Sequence, residues 1–264
     1  MDLGLANGIY SNKLEGNATG IYHNINTGLH NGIYENINNG IIKKNLLIYY
    51  SLNRGDSYLP PYNTTTITDI SNSKTNSIII NGSTYSNNGL FLASGQYAIG
   101  NATNAILGNN FTIQFTIKPN SIGATNFNIG DFQIGVSSRQ GIYFGLDNRT
   151  NFLNTFYVAT GLTVSYLYTP ENSVICNGDN IYNITITCTN CVFSIYINAI
   201  QKNGLSLNNI LSALTWNSTA FNINRGLGTT SNGITWYNYI VYNRVLTYIE
   251  ILQNYKSTKA LFGL

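Results

Sequence analysis

Residues 233–255, GITWYNYIVYNRVLTYIEILQNY, contain an aromatic strand pattern followed at once by a helix start. The β-branched and aromatic residues over 235–243 predict a strand. Thr247 then provides a side chain that can cap a helix, and Glu250 follows three positions later, as in a capping box. The stretch therefore predicts a core strand followed by one short C-terminal helix.

Strand patterns also fill the chain before this ending. The clearest is NFTIQFTIKP at residues 110–119, where large apolar and polar side chains alternate so that one face is apolar. Residues 182–188 and 191–199 predict a hairpin that turns at Thr189-Asn190. Further runs bounded by Asn, Gly and Pro lie at 46–52, 76–82, 88–94, 96–100, 132–138, 141–147, 154–160, 162–169 and 221–226. About a dozen short strands with turn signals between them predict an all-β jelly-roll sandwich.

The order of these patterns resembles a known superfamily. LLIYYSL (46–52) comes first, followed by TDIS (68–71) and NGLFLASGQYAI (88–99). The predicted strand at 110–119 and the hairpin at 182–199 come next, and the strand and helix of residues 233–255 come last. This order resembles the laminin-G-like, concanavalin-A-like lectin/glucanase superfamily over residues 46–262. The resemblance implies a concanavalin-A-like jelly roll closed by one short helix. It implies a fold more than a function, because that superfamily contains glycan binders, adhesion modules, structural heads and some hydrolases.

A different pattern occupies residues 4–43, which divide into tetrads that each open with Gly or Asn. These two residue types tolerate positive φ, and a spacing of four keeps one column of side chains on the same face of an extended chain. We expect an extended repeat that orders on association; a flexible low-complexity tail is the alternative. The expected domains are an oligomerisation or anchoring segment at 1–44 and a laminin-G-like jelly roll at 45–264. The predicted assembly stripe consists of Ile21, Ile25, Leu29, Ile33, Ile37 and Ile41.

The charge composition excludes several classes of partner. Only 9% of the residues are charged, against about 25% in a typical soluble domain, and the formal net charge is +3. Thirteen Lys and Arg spread over 264 residues do not predict a nucleic-acid-binding patch. No apolar run approaches the roughly 20 residues of a membrane-spanning helix, so we expect no membrane span. A surface of amides and hydroxyls instead favours close packing of copies, since no ions need to be desolvated.

The acidic residues do not predict catalysis. Glycosidases of the superfamily use carboxylates that share a cleft, and none of the ten acids here lies within two residues of another. We therefore expect no enzymatic activity and no resident cofactor. Calcium is the open alternative, because laminin-G-like domains bind it through loop oxygens. The candidate donors, each also typical of a turn-capping residue, are Asp69, Asp131, Asp147 and Asp179.

The three cysteines, Cys176, Cys188 and Cys191, do not predict a zinc site, because residues 45–264 supply no histidine to complete one. Cys188 and Cys191 flank the predicted hairpin turn, where they either pair or remain reduced. An odd cysteine count and an N-terminus without a leader pattern favour synthesis in a reducing compartment.

Aromatic residues near the last strand form the candidate glycan site. Sugars pack on aromatic ring faces and hydrogen-bond to surrounding amides and hydroxyls. The candidate platform consists of Trp216, Trp236, Tyr237 and Tyr239. The alternative is core packing, because alternation along 235–243 buries about half of those rings.

Together these features predict a structural virion protein. A repeat that orders on association and carries a lectin-like head is typical of fibres, spikes and capsid-associated proteins. We expect a homo-oligomer, with a homotrimer as the first hypothesis, and other virion or capsid proteins as partners. The alternative is an extracellular carbohydrate-binding or adhesion module of a cell-surface protein. A hydrolase is the third and least favoured hypothesis.

Overall fold

The computed structural model describes residues 40–52, 57, 65–73, 75–80, 82–86, 89–101, 107–120, 126–134, 141–160, 165–190, 192–202, 218–226, 229–230 and 233–262. The chain divides into two compact units. Residues 45–246 form one unit, and residues 40–44 with 247–262 are the described part of the other. All strands of the described residues belong to the first unit.

These strands are short and follow one another along the chain. They are β1 (Leu46–Ser51), β2 (Thr66–Ile67), β3 (Ser77–Ile80), β4 (Thr84–Ser86), β5 (Gly89–Leu92), β6 (Tyr97–Asn101), β7 (Asn110–Pro119), β8 (Asn126–Ile134), β9 (Gly141–Asp147), β10 (Thr155–Thr160), β11 (Ser165–Tyr168), β12 (Tyr182–Thr189), β13 (Val192–Ile197), β14 (Ile200–Gln201), β15 (Ser218–Ile223), β16 (Arg225–Gly226), β17 (Thr229–Thr230) and β18 (Ile234–Tyr242).

The strands pair into two eight-stranded antiparallel sheets. The first has the order β14-β13-β12-β7-β18-β5-β4, and β1 pairs with β18 on the same side as β5. The long strand β18 pairs with both β5 and β1 along this side: residues 234–236 pair with β5, and residues 238–242 pair with β1. The second sheet has the order β11-β10-β9-β8-β15-β6-β3-β2, and β16 and β17 form a separate ribbon. The predicted all-β sandwich is confirmed.

Aromatic side chains from both sheets fill the space between them. Phe115 of β7 stacks on Phe144 of β9 with ring centroids 5.0 Å apart, and Tyr239 of β18 lies nearly parallel to Phe221 of β15 at 5.9 Å. Burying a side chain of this size stabilises the fold by about 1.5–3 kcal/mol. The apolar face predicted for residues 110–119 is also confirmed, since it is completely buried: Phe111, Ile113, Phe115 and Ile117.

The opposite face of β7 is buried as well, although its side chains are polar. Thr112, Gln114 and Thr116 have no exposed surface. Gln114 Nε2 donates to Asn183 Oδ1 at 2.9 Å, and Asn183 Nδ2 donates to the Thr116 hydroxyl at 2.9 Å. The Thr112 hydroxyl donates to the backbone carbonyl of Arg244. A buried polar group without a partner costs about 1–3 kcal/mol, so this network is what allows a polar strand face to be buried.

The β12–β13 hairpin turns one residue later than the sequence predicts. Thr189 pairs with Val192, so the turn begins at Asn190, which has a φ of 48°. Asparagine adopts this left-handed conformation more readily than other residues with a side chain. Cys188 consequently lies opposite Phe193 in the ladder.

The predicted C-terminal helix is confirmed as α1 (Tyr248–Phe262), the described helix of the second unit. Its start is the predicted capping box. The Thr247 backbone N–H donates to Glu250 Oε2 at 2.8 Å, and the Glu250 backbone N–H donates to the Thr247 hydroxyl at 3.3 Å. No helix among the described residues is long and apolar enough to cross a membrane.

The last tetrad of the repeat, residues 40–43, belongs to the same unit. Gly40 has a φ of 64°, as expected for a tetrad opening, and an added Cβ would overlap the Ser257 side chain. Ile41 is buried, and the Ile42 backbone N–H donates to Asn254 Oδ1 at 2.9 Å. The other residues of the predicted assembly stripe lie outside the described residues: Ile21, Ile25, Leu29, Ile33 and Ile37.

Candidate functional site

Three of the four residues predicted to bind a glycan are buried. Trp236 and Tyr239 have exposed fractions of 0%, and Tyr237 of 4%. Trp236 and Tyr239 belong to the core between the sheets, and a register shift between Trp236 and Asn238 explains how two rings three residues apart both face it. The predicted platform on these rings is therefore corrected: they do not face solvent. Trp216 lies outside the described residues.

A second aromatic cluster lies on the outer face of the second sheet. Strands β9, β10 and β11 place it there, because alternate residues of a strand share a face with their cross-strand partners. Tyr157 of β10 pairs with Gly145 on one side and with Tyr168 on the other. The cluster is separate from the core and is here named the tyrosine face: Tyr143, Phe152, Tyr157, Tyr166 and Tyr168.

Gly145 provides the space that the Tyr157 ring occupies. The Tyr157 hydroxyl donates a hydrogen bond to Oδ1 of Asn128, which pairs with Gly145 from the other side. Tyr157 thus reaches across β9 to β8. A Cβ at position 145 would lie 2.6 Å from Tyr157 Cζ and would overlap the backbone oxygen of Phe127. Glycine at position 145 is therefore what allows Tyr157 to lie across the sheet.

The rings of the tyrosine face pack against one another. The centroids of Phe152 and Tyr168 are 4.4 Å apart, those of Tyr168 and Tyr166 are 5.6 Å apart, and both pairs have an interplanar angle of 25°. Tyr143 meets Tyr166 edge-on at 6.3 Å. Such pairs contribute about 0.5–1.5 kcal/mol each beyond their buried area. The ring positions are thus fixed by mutual contact.

An ion pair borders this face. Arg149 Nε donates to Asp147 Oδ1 at 3.0 Å, and Arg149 Nη2 donates to Oδ2 at 2.6 Å. The Asp147 side chain is 0% exposed, whereas 46% of the Arg149 side chain is exposed. The guanidinium also lies over the Phe152 ring, 5.4 Å from its centroid, which adds a cation–π attraction. A buried carboxylate and an aromatic ring together hold an exposed guanidinium in place.

Burial keeps the hydroxyls of Tyr157 and Tyr168 protonated. It raises the pKa of Tyr157 and the pKa of Tyr168 above the ordinary value, and the nearby Asp147 charge adds to the shift at both residues. The hydrogen bonds that Arg149 donates to Asp147 in turn raise the pKa of Arg149. At neutral pH Tyr157 and Tyr168 therefore have neutral hydroxyls, and the Arg149 guanidinium is charged.

Two rings of the tyrosine face reach the surface. Phe152 and Tyr166 are half-buried, while the other three are buried. Leu153, next to Phe152, is 41% exposed. The loop at 170–176 adjoins it, since the Asn172 backbone N–H donates to the Leu153 carbonyl at 2.9 Å, and Ile175 of this loop is also exposed. The surface is thus apolar and aromatic, with polar donors at its border, which is the usual lining of a ligand site.

The aspartates predicted as calcium donors serve other roles in the structure. Asp69 accepts hydrogen bonds from backbone N–H groups and serine hydroxyls around its loop. Asp131 accepts one from an asparagine amide at 2.6 Å, Asp147 is held by Arg149, and Asp179 lies in an exposed turn. Within the described part of the chain, no three His, Cys, Asp or Glu side chains gather closely enough to hold a metal ion.

The described cysteines are buried. Burial raises the pKa of the Cys176 thiol to about 12, which makes it a weak nucleophile at neutral pH. Cys188 Sγ lies 3.5 Å from the backbone carbonyl of Asn109. Cys191 lies outside the described residues, and with it the prediction that Cys188 and Cys191 either pair or remain reduced.

Comparison with known proteins gives matches at the level of structure. No family model and no curated protein sequence matches the chain. Trypanosoma rangeli sialidase in complex with sialic acid superposes with a TM-score of 0.62 at 16% identity, over 84% of this chain and 34% of the sialidase. The binding domain of botulinum neurotoxin serotype D superposes with a TM-score of 0.60 at 14% identity, over 82% of this chain and 52% of the other. The fold is thus a two-sheet antiparallel β-sandwich similar to parts of these structures.

The expectation of no enzymatic activity is contradicted by the matched structures. Several of the matched structures are sialidases, with and without ligands. The spacing of the acids along the chain does not decide this point, because residues far apart in sequence can meet after folding and a shared fold does not depend on that spacing. The chain spans about a third of the length of these sialidases, so the likeness is one of fold.

The tyrosine face was missed because its residues were counted only as strand formers. The signal lies in the alternation of GIYFGLD (141–147), where Tyr143, Gly145 and Asp147 fall on the face opposite Ile142 and Phe144. Aromatic residues on both faces of neighbouring strands indicate a second cluster outside the core.

Proposed function

We propose that the chain is a carbohydrate-binding module and that the tyrosine face is its binding surface. The observation that carries this proposal is an aromatic stack on the outer face of a sandwich, with Phe152 and Tyr166 at the surface and the Arg149 guanidinium at its border. A pyranose has an apolar C–H face and a rim of hydroxyls. Aromatic side chains suit the former, and hydroxyl and guanidinium donors suit the latter.

The matched folds support this proposal. One is a sialidase bound to sialic acid and another is a toxin's binding domain. Lectin-like sandwiches are scaffolds on which binding sites differ from one protein to the next, so the surface has to be argued from this chain's own residues. The tyrosine face is the aromatic cluster of the described residues that lies outside the core and reaches solvent.

A glycan array on the full chain tests the proposal. We expect binding to a subset of glycans, and a loss of about 2- to 13-fold on Tyr166→Ala, because one stacked ring contributes about 0.5–1.5 kcal/mol. Tyr248→Ala is the matched control, since Tyr248 is 55% exposed on α1, away from the tyrosine face in sequence. A blank array, or equal binding by Tyr166→Ala and Tyr248→Ala, would contradict the proposal.

The assembly role of residues 1–44 is a second proposal. We propose that the stripe joins copies of the chain, with a homotrimer as the first hypothesis, and that the oligomer belongs to a virion. The strict register of Ile and Leu along the repeat supports it, together with the 9% charge. Light scattering on the full chain is expected to give three times 29.1 kDa, and Ile25→Asn with Ile33→Asn is expected to give a monomer. A monomeric wild type would overturn it.

A further inference from the structure

We propose that the tyrosine face selects sugars that carry a carboxylate, and that Arg149 binds this group through the outer edge of its guanidinium. This inference rests on the proposed carbohydrate-binding function and names the class of sugar. It concerns a terminal acidic sugar such as a uronic or sialic acid, whose carboxylate would lie beside Phe152 while its ring packs on the face.

The two edges of the Arg149 guanidinium differ in their contacts. The edge formed by Nε and Nη2 faces Asp147, with distances of 3.0 and 2.6 Å to the two carboxylate oxygens. The Arg149 backbone N–H also donates to Asp147 Oδ1 at 3.0 Å. These contacts to Asp147 use Nε and Nη2 and none of them uses Nη1, while the Tyr168 hydroxyl is a further, weaker partner of the guanidinium. A guanidinium has five N–H donors, so the edge formed by Nη1 and the second N–H of Nη2 remains for a ligand.

The position of this outer edge is fixed before a ligand binds. Two parallel hydrogen bonds to a fully buried carboxylate set the plane of the guanidinium, and the Phe152 ring supports it at 5.4 Å. Phe152 is in turn stacked on Tyr168 at 4.4 Å. A ligand therefore does not need to immobilise a flexible arginine, which removes a common entropic cost of binding. At 46% exposure the side chain is accessible from solvent.

The geometry favours a carboxylate over a hydroxyl at this edge. Two parallel N–H donors match the two oxygens of a carboxylate, and such charge-assisted pairs are shorter and stronger than bonds to a neutral hydroxyl. Asp147 neutralises the charge of Arg149. The preference for a carboxylate therefore depends more on the two parallel N–H donors of the guanidinium than on net charge. Because the site is open to solvent, we expect a preference of about tenfold, which corresponds to about 1.4 kcal/mol.

The test uses glycans terminated by glucuronic acid or by sialic acid, each arrayed beside its uncharged carboxamide. We expect the full chain to bind the acid about ten times more tightly than the carboxamide, and we expect Arg149→Gln to bind both forms equally. Arg149→Lys keeps the positive charge but removes the two parallel N–H donors. Most of the preference for the acid over the carboxamide should therefore disappear in this variant as well. Lys202→Gln is the charge-matched control, directly after β14 at the edge of the other sheet, and should retain the preference.

Arg149→Gln leaves the buried Asp147 carboxylate without its charged partner, and such a loss is destabilising. The double variant Asp147→Asn/Arg149→Gln is therefore measured alongside. Binding of the carboxamide by each variant reports that the face is folded. If the acid and the carboxamide bind the wild type equally, or if Arg149→Gln keeps the preference, this inference is overturned while the carbohydrate-binding proposal stands. If neither form binds while the array shows binding of other glycans, this inference alone is overturned; if the array is blank as well, the carbohydrate-binding proposal fails with it.

Discussion

Replacing Gly145 by alanine tests how the tyrosine face is built. Gly145 lies in β9 between Asn128 of β8 and Tyr157 of β10, and Tyr157 spans it to reach Asn128. A methyl group at this position would stand 2.6 Å from Tyr157 Cζ and overlap the backbone oxygen of Phe127. The ring can rotate away, but the backbone oxygen can move only if β8 shifts.

The expected cost follows from these contacts. Overpacking of this kind costs about 1–3 kcal/mol. Displacing Tyr157 breaks its hydrogen bond to Asn128, which contributes about 1 kcal/mol. Alanine also reduces the conformational freedom of the unfolded chain, which stabilises the folded state by about 0.4–1 kcal/mol. We expect the free energy of unfolding of Gly145→Ala to fall by about 2 kcal/mol, and its Tm to fall by about 4–8 °C.

Urea denaturation followed by tryptophan fluorescence measures this change, and Gly108→Ala is the matched control. Gly108 has no heavy atom within 4 Å of an added Cβ, so its substitution should change the free energy of unfolding by less than about 0.5 kcal/mol. Glycan binding by Gly145→Ala should weaken as well, because Tyr157 supports the rings above it. If Gly145→Ala and Gly108→Ala are equally stable, Tyr157 does not occupy the position argued for it.

Three further changes test the rest of the fold. Phe115→Ala removes the ring that touches Phe144 of the opposite sheet and should cost about 3–5 kcal/mol in urea denaturation; a cost below 1 kcal/mol would contradict the core described above. Thr247→Ala removes the cap of α1 and should cost about 0.5–2 kcal/mol, with Thr247→Ser as the control that retains the cap. Burial raises the pKa of the Cys176 thiol to about 12, so its contribution to stability is complete below about pH 9 and is lost as the pH rises towards 12. The stability difference between wild type and Cys176→Ala should therefore shrink between pH 8 and pH 11, and a constant difference would show that the thiol is not shifted.

Much of the sandwich could be predicted because its strands carry local signals. The alternation in residues 110–119 gave both the strand and its core face, and Thr247 with Glu250 gave the start of α1. Residues 141–147 coincide with β9 in full. Four short strands with two or three residues each left too little pattern to detect: β2, β4, β14 and β17.

The candidate site could not be predicted in the same way. Whether a ring on a strand faces the core depends on register. Because the register shifts between Trp236 and Asn238, both Trp236 and Tyr239 of the predicted glycan platform face the core. The tyrosine face depends on which strands become neighbours, because Tyr157 and Tyr168 meet only after β10 and β11 pair. The buried polar face of β7 likewise depends on Asn183, which comes from a strand more than sixty residues away. Such long-range pairings leave no trace in local periodicity.

The most direct test of the account is an NMR titration of tyrosine-labelled full chain with the glycan that binds most tightly on the array. Aromatic signals are assigned by Tyr→Phe substitution. We predict that the signals of Tyr166 and Tyr168 shift with saturation, while those of the core residues Tyr50 and Tyr239 stay unchanged. Saturable shifts confined to tyrosines outside the tyrosine face would contradict the central claim that this surface binds carbohydrate.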